Sequence, residues 1–320
     1  MHELRAAVVG VGHLGALHAR KYANLGGVKL SYVTDLDPQR AREVAAKTGA
    51  VALPDHRSLA GKVELASVAV PSLAHYAIAR DLMLAGIDVL LEKPMAATLT
   101  QARELAAIAR NCGRILQIGH LERFNPAIMR LRPLLKNPRF IECHRLAPFT
   151  ERGTDVDVIL DLMVHDLDVI LSVTTAPVSS LEAVGVAVLT DRIDVANARL
   201  RFADQLIANL NTSRVAPRKE RKIRFFQSDA YISLDYEARR IQLYRKERPP
   251  AGASYPMISA EQIEIDEGDP LRDEIKAFVQ CVLARRSPEV DPAAGLRVME
   301  LSERIVEAIH QASLDTVTDG

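Results

Sequence analysis

Cysteine, tryptophan, net charge and long apolar runs are what this sequence of 320 residues has little or none of. Its three cysteines, Cys112, Cys143 and Cys281, are odd in number and far apart. That argues against a disulfide framework or a cysteine zinc site, and for a reducing, cytoplasmic setting. Basic and acidic side chains balance at 41 each, and the pI is about 7.1. No electrostatic footprint for nucleic acid or an anionic membrane is therefore present. No apolar run approaches a membrane span. The chain passes from Met1 and His2 almost directly into an apolar stretch, so no signal peptide is expected. There is no internal repeat, and the missing tryptophan carries no functional reading. The length suits two domains and a large core.

What is present is organised around residues 4–35. Ala6-Ala7-Val8-Val9 suits a buried parallel strand. Gly10-Val11-Gly12-His13-Leu14-Gly15 follows at once, then a helical pattern from Leu14 to about Leu25, then a second apolar strand over 28–33 that leads to Asp35. Gly10 permits a tight turn, Gly12 lets the backbone approach a pyrophosphate, and Gly15 lets the helix pack close to the strand. The helix N-terminus offers unpaired N–H groups and the positive end of its dipole to phosphates. Asp35 lies twenty residues past Gly15. A carboxylate there accepts hydrogen bonds from an adenosine ribose and repels a 2′-phosphate, which favours NAD over NADP. The stretch predicts dinucleotide binding. The alternative is a similar domain that has lost its ligand or takes another nucleotide.

Downstream, Asp37-Pro38 opens a helix that Gly49 ends. Residues 63–70 read as a strand, with Ser72 as N-cap of a helix over 73–85. A buried strand over 87–91 runs into Glu92-Lys93-Pro94. A helix over 100–111 and a strand over 114–118 complete an alternation that predicts a doubly wound parallel sheet. The rhythm changes at Gly119-His120. Asn125-Pro126 starts a helix to about Leu135, 139–146 reads as a strand and 157–172 as a helix. Short runs at 181–189, 196–202, 206–212, 223–226, 231–234 and 240–244 predict one open, largely antiparallel sheet. Val184, Val186 and Val188 alternate on one side, the kind of apolar patch that marks an interface. Helices opened by Asp269-Pro270 and Asp291-Pro292 close the chain. Residues 245–254 are the best candidate for a mobile loop and 315–320 for a frayed tail. The expected division is 1–122 for dinucleotide binding and 123–320 for substrate binding and oligomerisation.

Open α/β sheets bind ligands outside the carboxyl ends of their strands. Three such ends carry polar residues, which gives Gly10, Gly12, His13, Leu14, Gly15, Asp35, Pro71, Ser72, His75, Glu92 and Lys93 as candidate cofactor contacts. A loop lysine is ordinarily just solvated. Lys93, however, directly follows an all-apolar strand on the ligand edge, where an ammonium can hydrogen-bond a substrate hydroxyl and stabilise alkoxide charge. His75 reads almost equally as a helix-packing histidine. Further on, Asp161 and His165 are four apart and share a helix face, apart from the apolar stripe of Leu160, Val164, Leu167 and Leu171. A histidine beside carboxylates is a good general base near neutral pH; the plain alternative is a surface acid–histidine pair. Asp157, Asp161, His165 and Asp168 share one broad face, but no second histidine or cysteine cluster supports a metal there, and none is expected. Arg123 and Asn125, at the expected domain junction, are candidate substrate contacts; an interdomain ion pair and a helix N-cap are their plainer roles. Arg214, Arg218, Lys219, Arg221 and Lys222 form the densest basic run, either a diphosphate contact or a solvated strand edge.

The glycine turn, Pro71-Ser72-Leu73-Ala74-His75, Glu92-Lys93-Pro94 and Asp161 with His165 together resemble the Gfo/Idh/MocA family of sugar and inositol dehydrogenases. The resemblance implies a Rossmann domain followed by an α/β domain with an open sheet. It also implies a tightly held NAD(P), with the lysine and the histidine at the reacting carbon. Residues 119–126 and 155–166 are similar to a narrower group in the family. That group oxidises the 3-hydroxyl of UDP-N-acetylglucosamine so that an aminotransferase can install a 3-amino group, as in lipid A precursors. Many family members carry a glycine pair just before the aspartate; Val158-Ile159 in this chain fits the narrower group. The expectation is an NAD-dependent CH–OH dehydrogenase. In it, Lys93, Arg123, Asn125, Asp161 and His165 meet UDP-N-acetylglucosamine or a related nucleotide sugar. His165 takes the hydroxyl proton and Lys93 offsets charge on the oxygen, or the two exchange roles. A homodimer or homotetramer is expected. The other readings are a dehydrogenase of another sugar, of an inositol, or of a uronic-acid nucleotide sugar facing Arg123 or Arg214. Outside enzymes, the reading is an NAD-binding sensor, which the joint presence of Lys93, Asp161 and His165 weakens.

Overall fold

A computed structural model describes residues 3–150, 154, 156–249 and 255–318, the stretch 313–318 by backbone alone. The expected mobile loop at 245–254 and tail at 315–320 lie partly outside these residues. Along the chain run β1 (Leu4–Val9), α1 (His13–Ala23), β2 (Val28–Thr34), α2 (Pro38–Thr48), β3 (Val51–Leu53), β4 (Leu65–Val68), α3 (Ser72–Leu84), β5 (Asp88–Glu92), α4 (Leu99–Asn111) and β6 (Leu116–Gly119). Then follow α5 (Pro126–Leu131), β7 (Phe140–Leu146), a π-helical turn (Ile159–Met163), α6 (Val164–Val173), β8 (Val178–Val186), β9 (Val195–Phe202), β10 (Ile207–Ser213) and β11 (Glu220–Phe226). The last elements are β12 (Ala230–Asp235), β13 (Arg240–Glu247), β14 (Met257–Glu264), α7 (Pro270–Ala284) and α8 (Pro292–Thr318). No helix among the described residues is long and apolar enough to cross a membrane.

Two compact units form: Met1–Phe124 with Asp269–Met299, and Asn125–Gly268 with Glu300–Gly320. In the first, six parallel strands lie in the order β3-β2-β1-β4-β5-β6. The strands are too apolar to face water on either side, so each face needs a helix layer. Alternation along β1 divides them. Ala6 and Val8 pack with Ala19 and Tyr22 of α1 and with Ile275 and Phe278 of α7. Ala7 and Val9 pack with Ala79, Leu82 and Met83 of α3 and Leu105 of α4. This corrects the expected boundary: residues 269–299 belong with the first unit, not with the second half of the chain. The apolar stripe of α7, from Leu271 through Val282, completes the α1 side of the parallel sheet, and the Ile118 N–H donates to the Val290 carbonyl at 2.9 Å.

The second unit is an eight-stranded sheet in the order β14-β13-β12-β11-β7-β10-β9-β8, antiparallel at every pairing except β7 with β10. One face is buried: Ile141, Cys143, Ala198, Leu200, Leu210, Ile223, Phe225, Ile232 and Leu243 are all at most 1 % exposed. The other face is open, polar and internally paired. Arg224 donates to Glu142 at 2.6 Å and Lys222 lies 3.4 Å from Asp235. The rings of Phe140, Phe226, Tyr231 and Tyr244 form a stripe across four strands, with centroids 5.2, 5.0 and 5.7 Å apart. Val184 and Val186 stand more than half exposed on this face. Val188 does not continue their alternation, because β8 ends at Val186 and the Val188 N–H turns to the Asp194 carboxylate at 2.9 Å.

Some local expectations shift. Ser72 is the first residue of α3, and Pro71 before it supplies no side-chain cap. The expected helix over 157–172 opens as the π turn, where the Val164 N–H reaches back to the Ile159 carbonyl. Strands β3 and β14 gave little sequence signal: the first is three residues long, and every residue of the second is exposed or half-buried.

Asp194 is fully buried. Its Oδ2 accepts from the backbone N–H groups of Val188, Leu189 and Thr190 at 2.7–2.9 Å, and Arg214 Nε lies 3.6 Å from its Oδ1. Burial alone would raise its pKa; the converging N–H donors outweigh burial and hold it at about 2, against an ordinary 3.8. The folded value is the lower one, so this stabilisation is complete above about pH 4 and fades as pH falls toward 2. Urea unfolding of the intact chain should lose about 2 kcal/mol from this source between pH 5 and pH 2. Asp194→Asn should be destabilised at neutral pH and lack that part of the pH slope; an unchanged slope would refute the assignment.

Candidate active site

The strand order puts a topological switch between β1 and β4, and ligands bind outside the carboxyl ends of strands at such a point. Gly10 leaves β1 with φ +78°, a conformation that side chains strain against. A β-carbon on it would also lie 2.6 Å from Val70 and 2.7 Å from the Ala69 carbonyl. A β-carbon on Gly15 would overlap the Gly10 carbonyl oxygen, whereas one on Gly12 would meet nothing within 4 Å. The two crowded glycines thus close the turn, and the open one leaves room beside it. Gly12 is the N-cap of α1 and no side chain caps the helix, so the first N–H groups, beginning at His13 and Leu14, are left for a ligand.

Asp35 Oδ2 accepts from the Val11 N–H at 2.8 Å, and its Oδ1 accepts from the Asp37 N–H at 2.9 Å and from Arg40 Nη1 at 3.2 Å. The carboxylate therefore ties the end of β2 to the glycine turn. With about four lone-pair positions, it retains capacity for ribose hydroxyls. These features fit a dinucleotide: an open cradle over Gly12, an uncapped helix N-terminus and an acid at the far side.

Lys93 follows β5 directly and is half-buried. Its neighbours are held from two helices. Glu92 Oε1 accepts from His18 Nε2 of α1 at 2.9 Å, and His18 is fully buried. His75 of α3 is 1 % exposed, with Nδ1 2.7 Å from the Pro94 carbonyl oxygen and Nε2 2.9 Å from the Val70 carbonyl oxygen. Burial holds its pKa below the ordinary imidazole value against the pull of those two carbonyls. Both ring nitrogens of His75 face backbone carbonyl oxygens, of which a neutral imidazole donates to one at a time; the ring is turned into the unit, and the sequence expectation of a cofactor contact gives way to a structural one. His18 is the residue sequence reasoning missed. The signal was there, since a histidine on the stripe of Gly15, His18, Ala19 and Tyr22 faces the sheet.

Arg123 is 6 % exposed in a short 3-10 turn after β6, beside buried Glu122 and Phe124. It belongs to the first unit; Asn125, Asp161 and His165 belong to the second. Asn125 caps α5, its Oδ1 accepting from the Ala127 N–H at 3.0 Å. Asp161 lies in the π turn and His165 in the first turn of α6, both half-buried. Single π turns inside helices are often found at functional sites. The residue after His165 anchors the helix: Asp166 accepts from Arg145 Nε at 2.9 Å and Nη2 at 2.8 Å, a buried bidentate pair between α6 and β7. Asp157 Oδ1 accepts from the Ile193 N–H at 2.9 Å. Arg214 is 4 % exposed and spent on the Val156 carbonyl and Asp194. Lys219 pairs with Glu237 at 2.9 Å, and Arg221 lies over the Tyr236 ring at 5.1 Å. Most of the basic run therefore serves the sheet itself.

Comparison with known proteins agrees with this geometry. Residues 4–120 match the family model described as oxidoreductase family, NAD-binding Rossmann fold, and residues 136–233 match the GFO/IDH/MocA C-terminal domain. The chain belongs to the Gfo/Idh/MocA oxidoreductase family. UDP-N-acetylglucosamine 3-dehydrogenase of Acidithiobacillus ferrooxidans is 37 % identical over 97 % of this chain and 98 % of its own. Its solved structure superposes with a TM-score of 0.90 over 97 % of this chain and 98 % of that one. Myo-inositol dehydrogenase Hyg17 of Streptomyces leeuwenhoekii is 27 % identical over 91 % of each chain. Myo-inositol 2-dehydrogenase from Lactobacillus plantarum, 18 % identical over 97 % of this chain and 98 % of that one, shares the fold with a TM-score of 0.81. The chain is thus an oxidoreductase built on the family's NAD-binding Rossmann fold.

The two kinds of glycine separate experimentally. Gly12→Ala should keep the parent melting temperature and weaken NAD binding roughly tenfold or more by calorimetry, because its methyl enters the cradle. Gly15→Ala should lower the melting temperature as well, because the methyl meets the Gly10 carbonyl. Parent-like NAD affinity in Gly12→Ala would show that the cradle is misassigned.

Proposed function

We propose that this chain oxidises the 3-hydroxyl of UDP-N-acetylglucosamine to the 3-keto nucleotide sugar, with NAD as oxidant. The observation that carries the reading is the end-to-end likeness to the Acidithiobacillus enzyme, in fold as well as sequence. Bound NAD supplies the hydride acceptor. The chain's own groups must take the hydroxyl proton and offset charge on the oxygen as the C3–H bond breaks. His165 is proposed to accept the proton, and Lys93 to donate a hydrogen bond to the oxygen that becomes the carbonyl. Asp161 binds sugar hydroxyls or orients His165, while Arg123 and Asn125 contact the substrate. The 3-keto product suits an aminotransferase that installs a 3-amino group.

The open face of the second sheet supports a homo-oligomer, dimer or tetramer, packed through it. Two of its ion pairs, Arg224 with Glu142 and Lys222 with Asp235, are made within the face, so a covering copy need not supply their counter-ions. The aromatic stripe and the two exposed valines supply the apolar area. Light scattering at micromolar concentration should give a dimer or larger species; a monomer would count against this.

The decisive assay is reduced-nicotinamide absorbance with NAD and a panel of UDP-sugars. UDP-N-acetylglucosamine should give the highest kcat/KM, and silence across the panel despite NAD binding would favour the sensor reading. Lys93→Ala and His165→Ala should each lower kcat about a hundredfold or more; wild-type turnover in both would refute the mechanism. NAD should be preferred to NADP. Asp35→Ala should narrow that preference, since it removes the carboxylate and frees Arg40 for a 2′-phosphate.

A further inference from the structure

We propose that His18 and His75 are positioning residues that grip the Glu92-Lys93-Pro94 turn from opposite faces of the parallel sheet. The proposal rests on the catalytic reading of Lys93. α1 covers one face of the sheet and α3 the other. Glu92 lies two residues beyond Leu90, which faces the α1 side, so strand alternation aims its carboxylate at α1. There His18 Nε2 donates to it at 2.9 Å from a fully buried ring. From the α3 side, the His75 ring lies between the turn and the end of β4, with Nδ1 2.7 Å from the Pro94 carbonyl oxygen and Nε2 2.9 Å from the Val70 carbonyl oxygen; the neutral ring has one N–H, and the grip places it on Nδ1, the shorter contact, donating to Pro94. Lys93 is thus flanked by two residues, each tied to a different buried imidazole. A lysine side chain is a flexible four-carbon stem; fixing both neighbours of its α-carbon removes the backbone part of that freedom.

Gly119 of β6 completes the seat. A β-carbon on it would lie 3.0 Å from both Cδ and Oε2 of Glu92 and 3.1 Å from its α-carbon. These distances are tighter than ordinary contact, so a methyl there would push Glu92 aside by a few tenths of an ångström. The glycine leaves room for Glu92 to stay on His18. Displacement of a reacting group by about 1 Å costs on the order of a hundredfold in rate, even when the change is made away from the chemistry.

The test separates position from simple stability. Glutamine keeps an N–H near the place of a histidine Nε2, and asparagine keeps one near Nδ1. His18→Leu and His75→Leu should lower kcat about tenfold or more, with NAD affinity within about threefold of the parent by calorimetry. Amide exchange in the peptide over 92–97 should quicken. His18→Gln and His75→Asn should restore most of both kcat and protection. Gly119→Ala, a variant with both imidazoles intact, should slow turnover and quicken the same exchange, which keeps the test open if a leucine variant does not fold. Parent-like kcat and exchange in the leucine variants and in Gly119→Ala would overturn the proposal. So would glutamine and asparagine variants as impaired as the leucine ones. Lys93→Ala distinguishes the two levels. If it stays active, the catalytic reading of Lys93 fails while the exchange measurements still decide the grip. If it is dead and the leucine variants are not, the grip fails and the catalytic reading stands.

Discussion

The closeness of α1 to the end of β1 is the constraint on which the first unit depends. The Gly15 backbone lies so near the Gly10 carbonyl that only a hydrogen fits between, and Gly10 in turn abuts Ala69 and Val70 at the end of β4. Asp35 draws the end of β2 into the same knot through the Val11 N–H. Three strand ends and a helix start are thereby fixed within a few ångströms, and further consequences follow from geometry. A helix anchored there by Gly15 carries His18 one turn on along the same stripe. That places the imidazole on Glu92, one residue before Lys93. The residue proposed to meet the substrate oxygen therefore inherits its position from a glycine turn more than seventy residues earlier in the chain.

Much of this was legible in the sequence because the physical demand is local. A positive φ at Gly10, a close approach at Gly15 and an Asp-Pro start at Asp37 or Asp269 each need a given residue type at a given spacing. Alternation of apolar strands and amphipathic helices then fixes a parallel sheet. What stayed hidden is long-range partnership. The stripe of α7 says that the helix packs on something, but not that it returns to the sheet begun by β1. His18 and Glu92 are 74 residues apart, and nothing in either neighbourhood names the other. The same holds for Arg145 with Asp166 and for Arg214 with Asp194. His75 is instructive in the other direction. Its position after a strand end suited a ligand contact, and only its burial against two backbone carbonyls reveals that the ring is turned into the unit. Strand β14 was missed because its residues stay largely exposed, so no buried face imposed a period of two.

The buried ion pairs of the second unit are poor candidates for simple stabilisers. Desolvating a guanidinium and a carboxylate costs several kcal/mol per ion, and well-packed apolar residues of similar volume are often as stabilising. What a bidentate pair adds is direction: two parallel N–H···O bonds are satisfied in one orientation only. Arg145 on β7 and Asp166 on α6 form such a pair, and Asp166 is the next residue after His165. A slip of α6 by one residue along β7 would break both bonds and leave two charges buried without compensation, an outcome costing about 3–5 kcal/mol. The pair therefore reads as the device that fixes which residue of α6 stands at position 165, as the His18–Glu92 contact fixes the approach to position 93. In each unit, the residue assigned to the chemistry is neighboured in the chain by a carboxylate held from elsewhere in the fold. Placing the charged tether one residue away fixes the backbone from which the side chain proposed to react projects.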